Sequence, residues 1–429
     1  SLGSGYSTVS PATRAVGVYA ITASGAAPIS NAGGASNYNS VHTLAGMLTV
    51  TPAALAITTG NVSKTYDATT AVIGAVPVAT AGTQTFFGDA LSGGRHAYSS
   101  AGAGSGNKTV TSADVAVTNG GADVAANYSI SYLPNTRSSI EPAPLTITAE
   151  AKSRSYATVD PVLSYTLSGL MAQDAAGSVL SGALSRAQYG TLAGEQVGSY
   201  AIGQGSLVAN GNYSVRFVGS TLSITPYAGT LSVRADDKRM VYGSASLPAL
   251  SYSVSGLVDG VTVNGVTLRD TAEQVFTGAL ATTATAYNGS AGSGSRVGAY
   301  PIGAGSLALS AGAGANYSFN AASQWTAGSL SVTPATLTVA VADGAKFVFQ
   351  SDPSPLSSVS YSGFVNGDSA ASARALVAPT LSRTSAGNTV AGTYSISAAG
   401  ASAADYDIVY RYTQGSASKF VVAGPYDVL

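Results

Sequence analysis

Cysteine is absent from the 429 residues, which removes disulfides, thiolate metal ligands and cysteine nucleophiles together. Histidine is nearly absent. Only His42 and His96 occur, neither has a second plausible ligand close in sequence, and each reads as a surface loop residue, so no zinc or haem cofactor is expected. Charge is scarce as well, at 9% of residues, and a formal net charge of -1 leaves no basic footprint for a nucleic acid and no polybasic patch for a membrane surface. No stretch of about 18 consecutive apolar residues is present to span a bilayer. The segment is expected to be soluble or displayed. Neither an initiator Met nor a signal peptide stands at Ser1, so the chain reads as a processed or excerpted piece of something longer.

Gly, Ala, Ser and Thr dominate instead, and 24 Tyr far outnumber 9 Phe and one Trp. An apolar share of 45% is too high for a disordered chain, and the length implies roughly two to four folding units rather than one core. Low charge with abundant Thr, Ser and Gly points towards export.

Comparing the sequence with itself exposes repeats. A boundary phrase, apolar-Thr/Ser-apolar-Thr-Pro, reads Leu48-Thr49-Val50-Thr51-Pro52, Leu222-Ser223-Ile224-Thr225-Pro226 and Leu330-Ser331-Val332-Thr333-Pro334, with a looser form at Ser139-Ile140-Glu141-Pro142. Alternating runs follow: Leu55-Ala56-Ile57-Thr58, Leu145-Thr146-Ile147-Thr148, Leu231-Ser232-Val233-Arg234 and Leu337-Thr338-Val339-Ala340. Period-two apolar spacing marks half-buried strands, so the last strand of one unit leads almost directly into the first of the next. A junction this short, with its Pro, favours a semi-rigid string.

Two more phrases recur in order. One is Val-Gly-x-Tyr-x-Ile, with its tyrosine at Tyr19, Tyr200, Tyr300 and, in the variant Ala391-Gly392-Thr393-Tyr394, at Tyr394. The other is Asn-Tyr, at Asn37-Tyr38, Asn127-Tyr128, Asn212-Tyr213, Asn316-Tyr317 and, altered, Asp405-Tyr406. Both are placed at strand starts, with Gly allowing a tight approach, Asn suiting a positive-φ turn, and Tyr burying its ring while its hydroxyl stays at the wet edge. The tyrosine stripe reads either as core packing or as a carbohydrate-stacking platform, and recurrence at one slot favours the core. These marks divide the chain into a partial repeat, 1–52, and four repeats at 53–142, 143–226, 227–334 and 335–429. Asp174 and Asp368 are placed to cap short helices in the Ala-rich stretches after them. The expected fold class is mainly β, a tandem array of small β-rich domains with at most one short helix each.

The second unit opens with Val62-Ser63-Lys64-Thr65-Tyr66-Asp67-Ala68 and continues through Gly88-Asp89, Gly106-Asn107-Lys108-Thr109-Val110 and Asn127-Tyr128. It resembles the YDG domain of bacterial adhesins over nearly its whole length, with Ala68 in place of the naming Gly. The next units resemble the related MBG domain of the YGX type, a ubiquitin-like β-grasp module. Tyr242-Gly243-Ser244 keeps its naming phrase, Tyr156-Ala157 alters it and Phe349-Gln350 loses it, while Ser168-Gly169-Leu170, Ser255-Gly256-Leu257 and Ser362-Gly363-Phe364 match well. The resemblance implies a β-grasp-like fold, a filamentous-haemagglutinin-like exoprotein on the outer cell surface or outside the cell, and an outer-membrane partner for two-partner secretion. The repeat-motif residues are thus Tyr66, Asp67, Tyr242 and Gly243 from the resemblance, and Tyr200, Tyr213, Tyr300, Tyr317, Tyr394 and Tyr406 from the recurring phrases.

Other chemistry finds little purchase. Gly102–Gly106 and Gly289–Gly294 lack the Lys-Ser/Thr and following helix of a phosphate loop and read as hairpin loops. Asp236-Asp237 and Asp405/Asp407 do not complete a calcium loop. No strand-then-helix context surrounds a candidate nucleophilic serine, so the chain is read as non-enzymatic. Sequons at Asn61, Asn107, Asn127, Asn212, Asn288 and Asn316 are candidate glycosylation sites, three of them also explained by the Asn-Tyr-Ser phrase.

The reading is a structural stalk of an adhesin or surface filament, projecting an adhesive region, with cell–cell or matrix contacts of its own. The alternative is a glycan- or exopolysaccharide-binding module. The 1–52 piece lacks the strands that precede its phrases elsewhere, so either the chain upstream belongs there or another molecule supplies them, by self-association or strand donation. Joined end to end, the units extend over roughly 130 to 150 Å. If the repeated tyrosine is core, Tyr200→Ala costs roughly 3 to 5 kcal/mol, and an unchanged melting curve would return it to the surface.

Overall fold

A computed structural model describes residues 6–8, 15–23, 46–385, 387 and 390–427; Asn37, Tyr38 and His42 lie outside them. The chain is mainly β, with short strands in many small sheets. It forms two compact units, one of residues 1–152, 162–187 and 201–222, the other of residues 153–161, 188–200 and 223–429.

The alternating runs are strands that open each repeat: Ala53–Thr59, Ala143–Ala149, Ser232–Ala235 and Ala335–Val341. Their alternate side chains are sealed from solvent, including Leu55, Ile57, Leu145, Ile147, Val233, Leu337 and Val339, each worth about 1.5 to 3 kcal/mol in buried apolar surface. Every opening strand is the middle of a three-stranded sheet. It pairs antiparallel with Pro77–Ala79, Tyr165–Ser168, Tyr252–Ser255 or Val359–Ser362. On its other side it pairs parallel with Tyr128–Tyr132, Tyr213–Val218, Trp325–Thr326 or Tyr406–Tyr412.

A second, four-stranded sheet is seen in the 53–142 repeat, in the order Ser63–Thr65, Asn135–Glu141, Gly104–Ala113, Arg95–Tyr98. The 227–334 repeat has Lys238–Val241, Gly328–Thr333, Gly298–Gly303, Ala281–Thr282, and the 335–429 repeat has Gly344–Phe347, Ser418–Ala423, Gly392–Ala399, Thr380–Arg383. In each, the second strand of the repeat runs parallel to the closing strand. Tyr6–Thr8, Gly17–Ala23 and Gly46–Val50 form the matching antiparallel trio in the 1–52 piece.

Closing strands pass into opening strands through Thr51-Pro52, Pro142 and Pro334. The hydrophobic cores ignore these prolines. Tyr66, Tyr98, Val110 and Ile140 pack in one cluster with Ala143, Leu145, Ile147 and Tyr213 from beyond Pro142. Ala235, Met240, Ile302, Leu330 and Val332 likewise join Ala335, Leu337 and Tyr406 from beyond Pro334. A sequence boundary drawn at the proline therefore bisects a core.

The Val-Gly-x-Tyr phrases do open strands, at Gly17, Gly198, Gly298 and Gly392. Only Tyr200 is buried, however, while Tyr19, Tyr300 and Tyr394 are half-buried. In all four the hydroxyl turns back to donate to the carbonyl four residues earlier, at Ala15, Gln196, Arg296 and Val390, and the buried Tyr200 alone packs in a core cluster, with Tyr156, Ile224 and Leu231 among others. Among the described residues the α-helices are the single turns Ala176–Val179, Ala272–Val275 and Ala321–Gln324. Asp174 caps none of them, and no helix follows Asp368.

Ala68, where the resembled domain has Gly, has φ +60°, a left-handed conformation that a Cβ disfavours. Replacing Ala68 with Gly should raise stability by about 1 kcal/mol, the strain relieved exceeding the entropy that Gly adds to the unfolded chain. Denaturant titration of the variant checks this, and a loss of stability would show that the bend is unstrained.

Candidate functional site: the joints between repeats

Each Asn-Tyr phrase sits at a joint, and the same chemistry recurs there. At the first joint one oxygen of Asp174 accepts hydrogen bonds from two phenols, Tyr66 of the preceding repeat at 3.0 Å and Tyr213 of its own. At the second, Asp270 Oδ2 accepts from Tyr156 at 2.9 Å and Tyr317 at 2.6 Å. At the third, Asp368 Oδ2 accepts from Tyr242 at 2.8 Å and Tyr406 at 2.9 Å. The paired rings meet edge to face, with centroids 5.4, 5.9 and 5.5 Å apart.

Local structure explains the placement. The donor from the preceding repeat is the residue after its second strand, where the N–H of Tyr66 or Tyr242 extends the parallel ladder to the carbonyl of Glu141 or Thr333. The aspartate follows a left-handed glycine, Gly169, Gly256 or Gly363, whose Cβ would stand only 2.4, 2.3 or 2.6 Å from the carbonyl oxygen of Pro144, Thr230 or Thr336. Next in the turn, the N–H of Met171, Val258 or Val365 donates to the oxygen of Tyr213, Tyr317 or Tyr406.

The asparagine of the phrase does not adopt positive φ at Asn127, Asn212 or Asn316. Its Oδ1 instead accepts the backbone N–H at the start of the preceding repeat's central strand: Val16 to Asn127, Ala103 to Asn212 and Val197 to Asn316, each 2.9 Å. Asp405 keeps this bond, from Val297 at 3.1 Å. Its added charge is met by Arg296 at 3.1 Å and Arg374 at 3.5 Å. Tyr128, Tyr213 and Tyr406 open strands, but Tyr317 does not, because an inserted helical turn precedes its parallel strand, Trp325–Thr326.

The remaining sequence-marked residues have local roles. Asp67 bonds Lys64 at 2.6 Å and caps the N–H of Thr69, and the Lys64 ammonium holds its carboxyl well down, at about 2. Gly243, at φ +78°, lets the loop approach Val365, whose Cβ would lie 2.5 Å from an added one. The tyrosine position of the last repeat, aligned by its ladder bond to Ala423, is Val348 rather than Phe349. Asn61, Asn107 and Asn288 are exposed, whereas Asn316 is 1% exposed with its Nδ2 donating to Gln196. His96 bonds Ser112 and Gly93, Asp236 accepts from Ser251, and Asp237 accepts from the N–H of Ser329. Among the described residues no group of three or more potential ligands is placed to hold a metal ion.

The sequence reading singled out Asp174 and Asp368 only as helix caps and did not mark Asp270. A usable signal was present, since Asp174 and Asp368 each stand three residues beyond the second apolar residue of their Gly-Leu and Gly-Phe phrases. At the middle joint the signal misleads. There Asp259 follows Gly256-Leu257-Val258 directly, but it is exposed and pairs with Arg269, because a hairpin of Asp259–Val263 and Val266–Arg269 displaces the joint residue to Asp270.

Burial first, and then the hydrogen bond to Asp174, raises the hydroxyl of Tyr213 to about 12 and raises that of Tyr66. Protonated phenol is thus favoured in the folded state. Its contribution is complete below the unfolded value of about 10 and is lost as pH climbs towards 12. Tyr213→Phe should cost about 2 kcal/mol at neutral pH and flatten the fall in stability between pH 10 and 12. Denaturant titrations across that range test it; an unchanged slope would dissociate the phenol from the alkaline transition.

The MBG domain (YGX type) family matches residues 145–223, 231–330 and 337–416, and the YDG domain family matches residues 51–136. No curated protein matches the chain. Among solved structures, a crystal structure of the N-terminal eight Ig domains of Down syndrome cell adhesion molecule is similar at 10% identity, covering 83% of this chain and 57% of that one. Its TM-score of 0.17 carries no argument. The matched families are adhesin-type repeat modules, not enzyme families. With three copies over more than half of its length, behind one YDG domain, the chain belongs to the MBG domain (YGX type) family.

Proposed function

We propose that the chain is a structural stalk segment of a secreted bacterial adhesin or surface filament, lifting an adhesive region away from the cell and contributing to cell–cell or biofilm matrix contacts. The observation that carries this reading is the repetition of one joint: two phenols on one carboxylate oxygen, a backbone N–H on the asparagine or aspartate before the second tyrosine, and a core continuous across the boundary. A joint with its own polar clasp and its own buried surface resists folding back in a way that a bare linker does not. Quasi-linear arrays gain stability in this manner, from contacts between nearest neighbours. The reading includes export by a two-partner route with an outer-membrane secretion partner, and the resemblance to filamentous-haemagglutinin-like exoproteins is what supports it.

The glycan-binding alternative calls for aromatic rings gathered on one repeat. Among the described residues the most exposed rings are spread over three repeats instead, Phe87 in one, Tyr189 in the next and Phe349 and Tyr426 in the last. Small-angle scattering from the full chain tests the stalk. A radius of gyration well above about 22 Å, the value for a single compact globule of this length, is expected, and a value near 22 Å would defeat the reading.

A further inference from the structure

Each of the four full repeats begins on one strand of a parallel pair and ends on the strand that follows the other. The opening strands Ala53–Thr59, Ala143–Ala149 and Ala335–Val341 lie parallel to the late strands Tyr128–Tyr132, Tyr213–Val218 and Tyr406–Tyr412 over five, six and seven register pairs. The second strands Ser63–Thr65, Lys238–Val241 and Gly344–Phe347 lie parallel to the closing strands Asn135–Glu141, Gly328–Thr333 and Ser418–Ala423 over three, four and four pairs. Opening and second strands are consecutive in the chain, and so are late and closing strands.

Tension along the chain meets a fixed geometry as a result. A pull from the N-terminal side draws the opening strand backwards along its axis, and a pull from the C-terminal side draws the late and closing strands forwards. Parallel partners drawn in opposite directions are sheared, so their N–H to O=C bonds carry the load together instead of opening one after another. Register adds resistance. A slip of one residue turns alternate side chains to the other face, and Leu55, Ile57, Leu145, Ile147, Leu337 and Val339 are sealed in cores.

The 227–334 repeat is built with less of this pairing. Its opening strand meets the late strand over only two pairs, Val233 with Trp325 and Arg234 with Thr326. The helical turn Ala321–Gln324, standing between Tyr317 and that strand, is the cause.

We propose that each repeat is a tension-bearing clamp, sheared between its parallel strands when the chain is pulled from its ends, and that the short clamp makes 227–334 the first repeat to yield. The proposal deepens the stalk reading and rests on it for the source of the load. The strand pairing does not, so scattering decides whether the array is extended and force decides whether it is clamped.

Single-molecule stretching of the intact chain, tethered at its two ends, tests the order of release. The first release is expected from 227–334, which is recognised because it is the longest of the four full repeats and frees the most chain. A second pulling direction uses Thr336→Cys with Asp407→Cys, exposed residues in register near the starts of the opening and late strands of the last repeat, in a chain with no other cysteine. Pulled apart there, the two strands open pair by pair. Forced unfolding follows the unfolding barrier, so rupture is expected at less than about half the lowest force recorded from the chain ends at the same loading rate. Equal forces in the two directions overturn the clamp. A first release from any other repeat overturns the dependence on the length of parallel pairing, and that order is read on the unaltered sequence, whatever the cysteine pair does to folding.

Discussion

A carboxylate oxygen shared by two phenols is the contact on which the order of this chain depends. A half-buried carboxylate loses hydration, and two O–H donors aimed at one oxygen replace it at Asp174, Asp270 and Asp368. One donor belongs to each side of the joint, so neither repeat satisfies the acid alone. The cost of an unpaired buried acceptor is thereby converted into attachment between neighbours.

The cores reinforce that dependence. Because Leu145 and Ile147 share a cluster with Tyr66 and Ile140, and Leu337 shares one with Leu330, the opening strand of one repeat completes the packing of the repeat before it. Repeats of this kind stabilise one another in sequence, and an end without its neighbour leaves both apolar surface and a sheet edge uncovered.

The joints are built alike and finished differently. The second surrounds its clasp with a buried ionic network in which Arg154 bonds Asp160 at 2.7 Å and reaches Glu195, while Asn264, on the inserted hairpin, donates to both acids. The third uses Asn366, which donates to Tyr242 and to the Gly294 carbonyl, together with the Asp405–Arg296 pair. Such charges are poor sources of net stability but strong penalties against the wrong neighbour, so each repeat is fitted to the one that follows it.

Much of this was legible in the sequence. Alternation at Leu145-Thr146-Ile147 determined a strand because a two-residue period suits only a surface buried on one face, and Pro142 and Pro334 located the passages between strands. The recurrence of Val-Gly-x-Tyr and Asn-Tyr determined that one unit is built again and again. Tertiary structure alone decided what those tyrosines do. The two phenols of a joint stand far apart in the chain, as Tyr66 and Tyr213 do, and the acid between them carries no local mark of that role, since Asp174 and Asp368 read as helix caps. A side chain's local pattern states which way it points, whereas its partner is set by which strands lie side by side. That pairing places the tyrosine of one repeat, the asparagine of the next and an otherwise ordinary aspartate within reach of one another.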